Sequence, residues 1–340
     1  MSGALLTQCV PRDAEVAADG ARGLVITGPT AVERAVALRE SGCAVPLRCD
    51  AGRYAGTRRA VATSDFSSSW LACQRAAGLP VLTDSGYVGM RDLKGLRSVL
   101  RRAMRLGDVV AVLPLHVDWL RRATDLDVLL AEVTGAGVPV AVVLEHAKDP
   151  LGSRDVVRGL CALIDTGVPV RLLRSDVSAL GALCHGAVEA AVGTSTALRH
   201  LYPVPTRPGG GRRASTAVFV PRFLGYLSVD KVATAVQRTP ELEHLWTCEC
   251  SACGGRTVDH FATVRDERER GRLAFRHSRE LLGLLHDEFS ALDRADREKA
   301  WHEQCLSAGF LHLEVRERLP EWSPPPFLNA WTRQRAPVRG

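Results

Sequence analysis

Short unbroken apolar runs, most of them rich in valine, recur along this chain. They begin near Gly23, Ala44, Pro80, Asp108, Val138, Val168, Val188 and Thr216. Runs that are apolar throughout, rather than at every second position, belong to strands covered on both faces, and therefore to a parallel sheet. Most of the intervals carry a helical pattern. Residues 31–41 read as a helix after Pro29. Leu93, Leu96 and Leu100 share one face of a helix over 91–106, and the same period runs through 125–134 and 154–165. Gly135, Gly137 and Gly167 stand where helices end. Strands alternating with helices in this way predict an α/β fold, a (β/α)8 TIM barrel over 1–241, with an open doubly wound sheet as the alternative. No G-x-G-x-x-G follows the first run, which argues against a dinucleotide site.

Composition adds limits. The 340 residues, 46% hydrophobic, suffice for one large core and an appendage. Seven of the 10 cysteines are scattered and read as reduced core residues, which predicts a cytoplasmic protein. No basic stretch followed by an apolar one opens the chain, and no apolar run is long enough to span a bilayer, so neither a signal peptide nor membrane insertion is expected. A formal charge of +6 permits a polyanionic partner. Arg207, Arg212 and Arg213 flank a triple glycine and are candidates for phosphate contact. Arg97, Arg101, Arg102 and Arg105, on one predicted helix, read as a solvated face.

The densest chemistry is the string Cys248-Glu249-Cys250-Ser251-Ala252-Cys253, followed by two glycines and, 24 positions after the last cysteine, by His277. Three thiols on a turn and an imidazole from a following helix can close a tetrahedral Cys3His shell around a structural Zn2+. His260 and His286 compete with His277 for the fourth place. The cluster opens a zinc-binding helical subdomain over 242–319, and the proline-rich basic stretch 320–340 is expected to be irregular.

In a barrel the working face lies at the C-terminal ends of the strands. That rule selects Asp50, Asp84, His116, Asp118, Glu145, His146, Lys148, Asp176 and the stretch 193–195. Two features then resemble one family. A late C-x-C-x-x-C with a distant histidine, and the run Thr83-Asp84-Ser85-Gly86-Tyr87, are together similar to the tRNA-guanine transglycosylases over roughly 80–285. The resemblance implies exchange of a guanine in nucleic acid, tRNA or DNA, for a 7-deazaguanine through a covalent intermediate at the sugar. It implies that Asp84 is an acid/base group, with Ser85 and Gly86 beside the substrate, and that subunits pair as a homodimer or heterodimer. Where the family carries its nucleophile, this chain has Glu189, Val192 and Gly193 in the stretch 186–195, and no aspartate. Glu145 and Asp176 are the substitute carboxylates, and His146 is a base-reading candidate. The alternative is a non-catalytic relative that binds nucleic acid or a catalytic partner.

Overall fold

The computed structural model describes residues 3–205 and 215–334. The chain divides into two units, Met1–Thr206 and Arg207–Gly340. The division falls before the expected boundary at 241.

The first unit is built on seven parallel strands: β1 (Ala4–Cys9), β2 (Leu24–Thr27), β3 (Leu47–Asp50), β4 (Ala111–His116), β5 (Val140–Glu145), β6 (Val170–Ser175) and β7 (Glu189–Gly193). Their order across the sheet is β3-β2-β1-β7-β6-β5-β4. Helices Ala31–Glu40, Leu93–Leu106, Ala123–Ala136 and Arg154–Ile164 fill the intervals as the periodicity predicts, and a further helix, Ser68–Ala76, lies between β3 and the segment at Leu82. Gly137 ends one of them in the left-handed region at φ 61°, donating its amide to Val133 O. Leu6, Val25, Val112, Val143, Leu173 and Ala191, from six different strands, meet in a single buried cluster with Leu82. Side chains of non-adjacent strands can touch in this way only when the sheet curls.

The expected eight-stranded barrel is met in part. The first strand, Ala4–Cys9, is not among the apolar runs, because Thr7 and Gln8 interrupt it. The run at Thr216 does not join the parallel sheet. It forms β8 (Ala217–Val220), paired antiparallel with β9 (Gly225–Ser228) in the second unit. The turn Pro221–Phe223, closed by Leu224 at φ 45°, reverses the chain there. The run at Pro80 makes isolated bridges instead of a ladder. Thr83 donates its amide to Val110 O at 3.0 Å, and Val110 donates to Val81 O at 2.8 Å. Two side chains of helix Ser68–Ala76 occupy the backbone of Leu82. Gln74 Oε1 accepts from Leu82 N at 3.1 Å, while Gln74 Nε2 and Trp70 Nε1 both donate to Leu82 O at 2.9 Å. With these groups satisfied by side chains, Leu82 needs no second neighbouring strand, and no ladder joins β3 to this segment among the described residues.

At the N-terminal ends of the strands, Glu189 receives Arg48 Nη2 at 2.5 Å and Arg171 Nε at 3.0 Å. All three side chains are largely buried, so the pairing holds β3, β6 and β7 together where no water can substitute. The basic helix Leu93–Leu106 is only partly a solvated face. Arg102 donates to Ala62 O at 2.6 Å and Thr63 O at 3.1 Å, and Arg97 pairs with Glu132.

The second unit packs the two-stranded β8–β9 sheet and helix Val229–Arg238 with two long helices, Glu267–Ser290 and Arg294–Arg318. Asp266 and Asp293 accept the amides of Glu269 and Asp296, capping each long helix at its start. A second hairpin joins β10 (Thr247–Cys248) to β11 (Arg256–Thr257). Phe223 stacks on Trp246 with ring centres 4.7 Å apart, and Trp322 meets both edge-on. His312, fully buried, bridges Phe223 O and Trp322 Nε1 at 3.0 and 2.8 Å. Burial pushes its pKa down to about 4, so it packs as a neutral ring. The tail is not wholly irregular: helix Pro326–Thr332 buries Phe327 and Trp331 against Trp301. No described helix is long and apolar enough to cross a membrane.

Replacing Glu189 by alanine strands two buried guanidinium groups. The expected loss is about 3 kcal/mol of stability, read as a lower urea midpoint of the first unit.

Candidate functional site

Two places concentrate chemistry, one in each unit. In the first unit, the C-terminal ends of the strands carry a layer of buried polar side chains. Gln8 at the end of β1 donates to Thr27 Oγ1 of β2 at 2.8 Å, and its carbonyl oxygen accepts Arg174 N of β6. Thr27 donates on to Asp50 Oδ2 of β3, which also accepts Tyr54 OH at 2.6 Å. Gly52 N occupies the other oxygen of Asp50. Arg174 sits at φ 47°, at a register shift between β6 and β7, and its guanidinium lies 5.0 Å from the centre of the Tyr54 ring. Burial raises the Tyr54 pKa well above the usual phenol value, so this hydroxyl keeps its proton.

Asp84 follows the Val81–Thr83 segment and is 3% exposed. Its two oxygens accept Ser67 N at 3.0 and 3.1 Å, and Arg53 pairs with it. Ser67 in turn caps helix Ser68–Ala76 by accepting Trp70 N. Ser85 is fully buried and hydrogen bonded to Thr83 Oγ1 at 2.8 Å. A Cβ on Gly86 would stand 2.1 Å from Val61 O, so the glycine permits close backbone approach to 60–61. Glu145, at the end of β5, pairs with Arg59 and accepts Tyr87 OH. The Arg59 guanidinium lies 3.6 Å from the centre of the Tyr87 ring. Burial first, and the Glu145 hydrogen bond second, raise the Tyr87 pKa.

Asp176 follows β6 directly. It accepts Val177 N at 2.8 Å and has no ion pair among the described residues. His146 accepts Lys148 N at 3.2 Å through Nδ1 and donates its own amide to Leu201 O. The structure therefore brings Asp84, Ser85, Gly86, Glu145, His146 and Asp176 to the strand-end side of the sheet. It does the opposite with Glu189, which opens β7 at the other end. Arg207, Arg212 and Arg213 lie outside the described residues. Sequence reasoning missed Arg53, Arg59, Asp149 and His200. Asp149 is pushed up to about 7 by burial and by Asp176. His200 is pushed down to about 4, mainly by burial.

In the second unit, Cys248, Cys250, Cys253 and His277 bring their ligand atoms within 4.8 Å of one another. His277 Nδ1 lies 3.7, 3.3 and 3.3 Å from the three sulfurs in chain order. Its Nε2 donates to Phe219 O of β8 at 2.8 Å, which fixes the ring and leaves the Nδ1 lone pair facing the sulfurs, where it can ligate a metal. Gly254 and Gly255, at φ 57° and 81°, turn the hairpin so that the thiols converge. Hydrogen bonds from Cys248 and Cys253 lower the Cys250 pKa, while hydrogen bonds with Cys248 and Cys250 raise that of Cys253. Such crowding is relieved when a metal takes all three as thiolates. His260 turns away to Thr257 O, and His286 lies outside the cluster. The four groups can hold a metal ion in a closed shell.

Comparison with protein-family models finds no match, and comparison with curated proteins finds none either.

Cys253→Ser is expected to remove bound metal and to lower the melting temperature of the second unit, while the first unit keeps its own transition. Metal analysis by mass spectrometry and circular dichroism with and without a chelator check this.

Proposed function

We propose that this protein is a transglycosylase-like enzyme that exchanges a guanine-type base in nucleic acid, tRNA or DNA, for a 7-deazaguanine. The observation that carries the reading is the grip of Glu145 and Tyr87 on Arg59. A planar guanidinium stacked on an aromatic ring and donating to a carboxylate has the donor pattern of a guanine edge, whose N1–H and 2-amino group also point side by side. Glu145 and Tyr87 would read the base once Arg59 gives way. Asp176 is the nucleophile in this reading, since Asp84 and Glu145 already hold arginines. Asp84 would manage protons on the base only after Arg53 leaves it. His146 stands beside Glu145, and exposed Arg58 and Lys148 on nearby loops would meet phosphate.

The same reading takes the curled sheet with the Val81–Thr83 segment as a (β/α)8-type barrel. The eight parallel segments would run in sequence order around it, with the seam at Leu82. It takes the metal as zinc. A tetrahedron with bonds of roughly 2.3 Å to sulfur and 2.0 Å to nitrogen has sulfur–nitrogen edges of about 3.5 Å, close to the three distances at His277. Bound there, zinc would be structural. Pairing into a homodimer or heterodimer belongs to the proposal through the sequence resemblance alone.

One observation favours a second reading, a non-catalytic relative that binds nucleic acid. Strand β7 ends on Val192 and Gly193, and its only carboxylate, Glu189, is tied to Arg48 and Arg171.

Guanine binding followed by calorimetry is expected to tighten in Arg59→Ala and to weaken at least tenfold in Glu145→Gln. Equal affinity in all three proteins would remove the base pocket. Incorporation of labelled guanine into tRNA and duplex DNA is expected for the wild type and is lost in Asp176→Ala. Salt-sensitive nucleic-acid binding without incorporation would support the second reading.

A further inference from the structure

The loops after β5 and β6 hold a second pair of carboxylates. Strands β5 and β6 are parallel neighbours, with Val140 opposite Val170 and Val142 opposite Leu172. Asp149 and Asp176 lie in the turns that leave them. Each spends one oxygen on its own turn: Asp149 Oδ1 accepts Leu151 N at 2.9 Å, and Asp176 Oδ1 accepts Val177 N at 2.8 Å. The segment after β7 is pinned beside them, because Leu201 exchanges hydrogen bonds with Leu144 O and His146 N. That pairing positions His200 and Tyr202, whose rings meet at a 42° tilt with centres 4.0 Å apart. His200 is 9% exposed, and its Nε2 is buried with no hydrogen-bond partner. The ring is close enough to Asp176 and His146 to feel both charges. An orphaned buried nitrogen near the Asp176 carboxylate is costly unless something else completes it.

We propose that Asp149 is the acid/base partner of Asp176 in base exchange, with His200 completing the site. This rests on the transglycosylase reading above. The division of roles is that of a retaining glycosyl transfer, in which one carboxylate attacks and its neighbour moves the proton. Asp176 Oδ2 bonds to the anomeric carbon as the carbon–nitrogen bond breaks. The electron pair stays with the base, and a ring nitrogen of the base takes the proton from Asp149. The entering base then gives its ring-nitrogen proton to the Asp149 carboxylate. Its freed electron pair forms the new carbon–nitrogen bond, and Asp176 leaves with the electrons of its ester bond. Proton and charge return to their starting places, and no oxidant or reductant is consumed.

The electrostatics suit these roles. Burial and the charge of Asp176 push Asp149 up to about 7, so it divides between acid and carboxylate near neutrality and loses its proton as the pH rises past that value. Burial keeps His200 neutral down to about 4. Among the described residues, the other titratable and charged groups nearby are His146 and Lys148 on the loop after β5, and Arg199 and Tyr202 after β7.

The test uses the full chain with its metal. Carboxyl carbon NMR should show Asp149 titrating near 7, moving down in Asp176→Asn. Asparagine at 149 keeps the acceptor for Leu151 N, so Asp149→Asn should fold and melt like the wild type. Incorporation of labelled guanine between pH 5 and 9 should fall on the alkaline side in the wild type. It should lose that limb in Asp149→Asn, with a rate loss of about 100-fold or more. Asp149 titrating in the ordinary carboxylate range would overturn the proposal. So would an active Asp149→Asn with the wild-type pH profile, which leaves base exchange itself intact. A wild type that never incorporates guanine removes the reading beneath it.

Discussion

Three carboxylates on three different segments of the sheet hold one loop. Asp50 bonds Tyr54 and Gly52, Asp84 bonds Arg53 and Ser67, and Glu145 bonds Arg59. The loop over 51–67 has no regular secondary structure long enough to hold itself, so these contacts, with Arg102 at its far end, decide where it lies. Burying an ionised carboxylate without a partner is prohibitive, and burying a guanidinium is no cheaper. Strand ends and loop therefore fix each other. The polar layer of the first unit, and any site within it, depend on that mutual requirement.

The strand-end side separates into two electrostatic regions. Around Asp84 and Glu145 the negative charge is matched by arginines, and the groups act as clamps. Around Asp149 and Asp176 no ion pair is present among the described residues, and the charges meet each other. Like charges in a confined place hold a proton where matched charges do not. The first arrangement suits recognition of a planar donor. The second suits proton movement.

In the second unit the metal-ligand cluster does the tying. His277 reaches the thiols with one nitrogen and the carbonyl of Phe219 with the other. The hairpin, helix Glu267–Ser290 and strand β8 thereby meet at a single imidazole. The adjoining core around Phe223, Trp246 and Trp322 is aromatic and dense. It gives the cluster a rigid wall, which a four-ligand shell requires to stay closed.

The sequence by itself determined the ligand-bearing cysteines, the helix positions and the parallel character of the sheet. Those features are local: a spacing, a period of 3.6, a run of apolar residues. Tertiary structure decided the rest. An apolar run reports that a strand is covered, not which strand lies beside it, so β8 reads like a member of the sheet it does not join. Gln8 hides β1, because a glutamine looks solvated until Thr27 and Arg174 stand next to it. Arg53 and Asp84 are 31 residues apart, and Arg59 and Glu145 are 86 apart. No pattern along the chain encodes such pairs, since the sheet brings them together only after it has curled. The sequence favours His277 but leaves His260 and His286 as competitors, and it is packing that aims His277 at the sulfurs.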